Sequence, residues 1–71
     1  MTNHTKLSKT QMQVLERIAN GFSTSEIAEQ LGSKPKTIEN HRYSIAKKLR
    51  ISGKNCVLKY AIEHKSELQP D

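Results

Sequence analysis

The strongest constraint on this chain is a helix-start signature that occurs twice within the first 26 of its 71 residues. In Leu7-Ser8-Lys9-Thr10-Gln11 and again in Phe22-Ser23-Thr24-Ser25-Glu26, a serine stands three residues ahead of a Gln or Glu. That spacing lets the serine oxygen accept the N–H of the third helical residue while the longer side chain reaches back to the serine N–H. The apolar residue ahead of each serine, Leu7 or Phe22, is set to pack on Met12 or Ile27 one turn later. Apolar residues then recur at helical spacing up to a glycine, Gly21 or Gly32, which enters the left-handed stop conformation easily. These signals predict one helix over 9–20, with Met12, Val14, Leu15, Ile18 and Ala19 as its apolar set, and a second over 24–31. The second is too short to be held by propensity and must depend on packing.

A third helix is predicted over 35–49, and it begins differently. Pro35 fits the first helical position, because its ring presets φ and its missing N–H is not needed there. The residue before a proline is pushed to extended backbone, so Lys34 is the cap, and lysine carries no acceptor. The N–H groups of Lys36 and Thr37 are therefore expected to lack a side-chain partner. Ile38, Ile45, Ala46 and Leu49 form the inward face of this helix. Lys36, Glu39, Asn40, Tyr43 and Lys47 form the outward one, with Ser44 at its edge. Ser52 and Asn55, flanked by Ile51 and Cys56, repeat the start signature weakly and predict a fourth helix over 53–65. Its apolar stripe is Val57, Leu58, Ala61 and Ile62. No segment alternates as a half-buried strand does, so the class is all-α with four helices.

Between Leu31 and Pro35 there is room only for a tight turn containing Gly32. A short helix, such a turn and a longer basic helix make a helix-turn-helix, whose second helix enters the DNA major groove. Ala28 suits that geometry, since a small side chain lets the two helices cross closely.

Charge points the same way. From Met1 to Gln30, Lys6, Lys9 and Arg17 balance Glu16, Glu26 and Glu29. From Leu31 onward nine basic residues face four acidic ones, so the whole formal charge of +5 lies there. Between Lys34 and Lys54 seven basic residues face one acid, Glu39. Such a concentration is the electrostatic footprint of a nucleic-acid binder.

The length allows one domain, and nothing in it is long and apolar enough to span a membrane, so no membrane partner is expected. A lone cysteine, Cys56, can form no disulfide within the chain, which suits a reducing cytoplasm. No nucleophile–base pair, phosphate loop or metal-ligand cluster is evident. An enzyme is therefore not expected, nor is a metal or cofactor. His41 has no cysteine or acid at ligand spacing and is expected to be structural.

The segment LSKTQMQVLERIANGFSTSEIAEQL, followed by KTIENHRYSIAKKL, resembles the DNA-binding domain of LuxR-type regulators, the family also named for GerE, NarL and FixJ. The similarity covers about residues 7–67, leaving an N-terminal tail over 1–6 and a C-terminal tail over 68–71. It implies four helices, a recognition helix over 35–49, and a fourth helix over 53–65 that pairs a dimer. It also implies a bacterial transcription regulator, commonly the effector domain of a response regulator, acting at paired half-sites with RNA polymerase as a further partner. The chain is then either a small regulator of this size or the C-terminal piece of a longer one. It departs from the family pattern at Thr10, Gln11 and Gln13, where an arginine and acids are usual, at Ser33 and Lys34, and at Lys65 and Ser66.

Carried over by position, the resemblance places Glu39, Asn40 and Tyr43 at base edges. Asn40 is suited to adenine and Glu39 to the amine of cytosine, whereas Tyr43 suits a thymine methyl or a phosphate. Lys34, Lys36, Thr37, Lys47 and Lys48 are candidates for phosphate, joined by Thr24 and Ser25 at the start of the second helix. Cys56, Lys59, Tyr60 and Glu63 lie on or beside the face that the family uses for pairing, and Tyr60 equally suits the core of the monomer. Two other functions compete: a sigma-factor region that reads a promoter, and an interaction module that acts on a larger regulator through the fourth helix. A fourth helix argues against the first, and the basic cluster around the third helix argues against the second.

Overall fold

The computed structural model describes residues 7–68, which form α1 (Lys9–Ala19), α2 (Thr24–Leu31), α3 (Pro35–Leu49), α4 (Cys56–Glu63) and the short α5 (Lys65–Leu68). There is no strand among the described residues. The tail over 1–6 and most of the one over 68–71 lie outside them.

The first two helices start as their boxes dictate. Ser8 Oγ accepts the Gln11 N–H at 3.1 Å, and Gln11 Oε1 accepts the Ser8 N–H at 3.0 Å. The Ser23–Glu26 pair repeats this at 3.1 and 2.8 Å. The expected apolar pairs differ in outcome. Leu7 is buried, whereas Phe22 remains 39% exposed although Ile27 is fully buried. Ile27 is covered by the neighbouring helices and needs little from the turn ahead of it.

Three helices end on the same backbone motif, in which a left-handed residue turns the chain and the following N–H reaches back five residues. Phe22 N–H donates to the Arg17 carbonyl at 3.1 Å, Ser33 to Ala28 at 2.8 Å and Ile51 to Ala46 at 3.1 Å. The turning residues are Gly21, Gly32 and, at the end of α3, Arg50.

The fourth helix departs from its expected limits of 53–65. Gly53 has φ +105° and Asn55 φ +60°, so neither is helical and α4 cannot begin before Cys56. With Asn55 left-handed, its side chain makes no cap bond and the Ser52–Asn55 signature is not realised. At the other end His64, with φ −108°, breaks the helix after Glu63, and the chain resumes as α5.

The core is built around α1, which packs against all four other helices. Val14, Leu15 and Ile18 of α1, Ile27 of α2 and Ile38 and Ile45 of α3 are its largest fully buried side chains. Each contributes about 1.5–3 kcal/mol by leaving water. Ala28 is 2% exposed at the α2–α3 crossing, as its size suggested. Val57 and Ala61 face inward from α4, but Ile62, expected on the same stripe, is 58% exposed. Leu31, Ala46 and Leu58 border the core and are only partly buried. Polar ties also cross between helices: Arg17 Nε donates to Gln30 Oε1 at 2.9 Å, and Lys48 Nζ to Gln11 Oε1 at 2.9 Å.

The Ser23 backbone N–H, and after it the Ser23 hydroxyl, hold the Glu26 carboxyl below its ordinary value. A carboxyl depressed on folding stabilises the fold above its unfolded pKa, and that contribution is lost as pH falls through the folded one. Glu26→Gln keeps an acceptor in the box, as Gln11 does in α1, but removes this dependence. Melting temperatures between about pH 6 and about pH 3 are expected to fall more steeply for the wild type than for the variant. Parallel profiles would show that the Glu26 charge is not engaged.

Candidate nucleic-acid interface

The displayed face of α3 follows from its buried one. Ile38, Ile45 and Leu49 are buried, and 3.6 residues per turn place Lys36, Asn40, Tyr43 and Lys47 on the opposite side. All four are exposed, as are Glu39 beside them and Tyr43 to 67%. Lys47 Nζ lies 5.4 Å from the centroid of the Tyr43 ring, within the range where an ammonium is attracted to the ring face. Among the described residues none of these side chains makes a hydrogen bond or ion pair within the chain. The polar and basic groups of this stripe are therefore available to a ligand.

At its N-terminus α3 is bare of side-chain caps. Lys34 is the cap residue, with φ −98° and ψ 151°, and makes no side-chain cap bond; Pro35 follows it. Neither Lys36 nor Thr37 has a side-chain partner for its N–H, as expected, but Thr37 is satisfied by the backbone. Its N–H donates to the Lys34 carbonyl at 2.9 Å, and Ile38 donates to the same oxygen at 3.2 Å. The extended cap residue turns its own carbonyl into the helix and satisfies the third N–H through the backbone. Lys36 keeps the free donor, flanked by the exposed ammonium groups of Lys34 and Lys36.

The remaining candidates divide by place. Ser25 is exposed and Thr24 half-buried at the start of α2. His41 and Arg42 are half-buried at the edges of the α3 inner face. Lys48 stands apart from the stripe, since its ammonium reaches across to Gln11 on α1.

On α4, Lys59 and Glu63 are exposed, while Cys56 and Tyr60 are half-buried against the core. Tyr60 stacks on His64 with centroids 4.2 Å apart and planes 28° apart. Two surface residues were passed over by the sequence reading. Ile62 belongs by spacing to the apolar stripe of α4, and the inward rotation of Val57 and Ala61 leaves it exposed. Arg50 carries its signal in the conformation at the end of α3, which residue type does not announce.

No group of three or more metal-binding side chains occurs among the described residues. No helix among them is long and apolar enough to cross a membrane. The shallow depression on α2 lined by Glu26, Glu29 and Gln30 is acidic and open, the opposite of what a phosphate requires.

Comparison with known proteins agrees with this geometry. Residues 5–61 match the GerE family, described as bacterial regulatory proteins of the luxR family. The oxygen regulatory protein NreC of Staphylococcus carnosus (strain TM300) is 39% identical over 59 residues, covering 83% of this chain and 27% of that protein. NreC of Staphylococcus aureus (strain JH9) shows the same identity and the same coverage. The chain thus spans about a quarter of the length of the curated relatives it matches. No solved structure gives a significant match. With the helix-turn-helix, the displayed basic stripe and the family match in agreement, the chain belongs to the luxR family of bacterial regulatory proteins, a family of DNA-binding transcription regulators.

Proposed function

We propose that this chain binds double-stranded DNA sequence-specifically by laying the N-terminal half of α3 in the major groove. The observation that carries this reading is the α3 stripe itself, in which Asn40 and Tyr43 lie between Lys36 and Lys47 with no partner among the described residues beyond the Lys47–Tyr43 contact. Lys36 and Lys47 are separated by about 16 Å along the helix axis, slightly more than the groove width of about 12 Å. The two ammonium groups then fall toward the phosphate walls, and Asn40, Glu39 and Tyr43 fall over base edges. Asn40 offers a donor and an acceptor to adenine, and Glu39 an acceptor to the cytosine amine. Lys34, Thr37, Thr24 and Ser25 complete the phosphate set, and the free N–H of Lys36 adds the positive end of the α3 dipole. Lys48 belongs to this set only where a phosphate outcompetes Gln11 for its ammonium.

The same reading pairs two copies through α4. Ile62 and Leu58 supply an apolar ridge there beside Lys59 and Glu63, beyond which lie the half-buried Cys56 and Tyr60. Two recognition helices then meet the duplex about one turn, roughly 34 Å, apart. Regulation of transcription in the cytoplasm, with RNA polymerase as a further partner, follows from this role.

Binding to random and to selected duplexes over a salt series tests the proposal. Log affinity is expected to fall with log salt by about 0.9 per phosphate neutralised, and Lys36→Gln or Lys47→Gln to shallow the slope by about that amount. Asn40→Ala is expected to cost about 1–3 kcal/mol of discrimination with little change in slope. Binding that ignores salt would count against DNA as the ligand.

The uncapped start of α3 gives a separate test. Lys34→Ser supplies the missing cap acceptor and is expected to stabilise the free protein by about 1 kcal/mol while weakening DNA binding. Thermal melts and binding curves on this variant read both effects, and unchanged stability would refute the cap deficit.

For the dimer, Ile62→Glu is expected to leave the fold intact, because the side chain is exposed, and to abolish cooperative occupancy of paired half-sites. Cooperative occupancy at the wild-type level would remove α4 from the pairing surface.

A further inference from the structure

Arg50 is one of two residues other than glycine with positive φ among the described residues, at φ +58° and ψ +41°. It is the left-handed residue of the α3 stop, where its N–H and that of Ile51 close the last turn. An L residue with a Cβ is disfavoured in this conformation, and glycine, which ends α1 and α2, is not. Among the described residues the exposed Arg50 side chain makes no hydrogen bond or ion pair that would offset the difference. A strained residue that the fold does not need points to a contact outside it.

Its position says which contact. Arg50 follows Lys47 by three residues and Tyr43 by seven, so its Cα continues the displayed stripe beyond the last turn of α3. From Lys36 to Arg50 the stripe runs about 20 Å, well beyond the major-groove width of about 12 Å. The C-terminal end of the stripe therefore overhangs the far wall of a groove that holds Asn40 and Tyr43. That wall is phosphate, which a guanidinium binds with two parallel N–H groups where an ammonium offers a point charge.

We propose that Arg50 is a phosphate clamp on the strand opposite that met by Lys34 and Lys36, and that its charge is retained there at the expense of the stability a glycine would give. This rests on the placement of α3 in the major groove proposed above. Lys36 and Arg50 then brace the helix from both walls, which fixes its depth and tilt over the bases.

The test uses Arg50→Gly and Arg50→Lys, with Lys9→Gln, an exposed cation of α1, as a control for net charge. Arg50→Gly is expected to raise the melting temperature by a few degrees. It should also lower DNA affinity roughly five- to tenfold at about 0.1 M salt and shallow the salt slope by about 0.9, the value of one phosphate. Arg50→Lys keeps the charge and the strain and should hold the wild-type slope, as should Lys9→Gln. A wild-type slope and affinity in Arg50→Gly would overturn the clamp while leaving α3 in the groove. A melting temperature that falls in Arg50→Gly would also overturn it, showing that the guanidinium serves the C-terminal dipole of α3 within the chain. A wild-type protein whose binding does not depend on salt would instead remove the reading of α3 itself.

Discussion

Burial of Ile38, Ile45 and Leu49 determines how α3 is rotated about its own axis, and the rest of the molecule depends on that rotation. Each of these side chains is at most 2% exposed, and each is worth about 1.5–3 kcal/mol out of water. Turning α3 by one residue would expose at least one of them and bury a lysine or Glu39 in its place, at a cost well above that gain. With the inner face locked, helical geometry alone displays Lys36, Asn40, Tyr43 and Lys47. The candidate interface residues therefore need no contacts of their own to be held in place. α1 is what makes the lock possible, because it packs on every other helix and gives α3 a fixed surface to turn against.

The helix ends show where stability is favoured and where it is set aside. α1 and α2 are supports, and both begin with complete boxes and end on glycine. α3 begins with Lys34 and Pro35, leaves the Lys36 N–H free, and ends on a left-handed arginine. Both irregularities place positive charge or a free donor at the outward helix, where a phosphate would find them. A local rule broken at both ends of α3 and kept at both ends of α1 and α2 is the pattern expected of a functional surface.

The starts of α1, α2 and α3 were legible because their chemistry is local. A serine and a Gln or Glu three residues apart meet whatever lies beyond them, and a proline excludes its own N–H from any ladder. The α4 start was not legible for the complementary reason. Ser52 and Asn55 have the right types at the right spacing, but the chain leaving the Arg50 stop must reverse to bring Val57 and Ala61 onto α1, and it does so with Gly53 and Asn55 in left-handed conformations. The side-chain box is lost to that reversal. Similarly, the apolar set of α4 was readable, but two of its members face the core and Ile62 does not, since a helix packed along one edge buries a narrower stripe than its composition offers.

The candidate site divides along the same line. Residue type and spacing identified α3 as basic and outward-facing, and the family resemblance singled out Glu39, Asn40 and Tyr43 on that face. They did not show that Lys48 turns to Gln11, that Thr37 satisfies its N–H on the Lys34 carbonyl, or that Tyr60 stacks on His64. Helix identity, capping and facing rest on interactions that reach no more than about four residues along the chain, so they are written in the residues themselves. Which side chains from distant helices meet, and which charges are left free as a result, is decided when those helices share one core, because packing alone determines what each surface still has to offer.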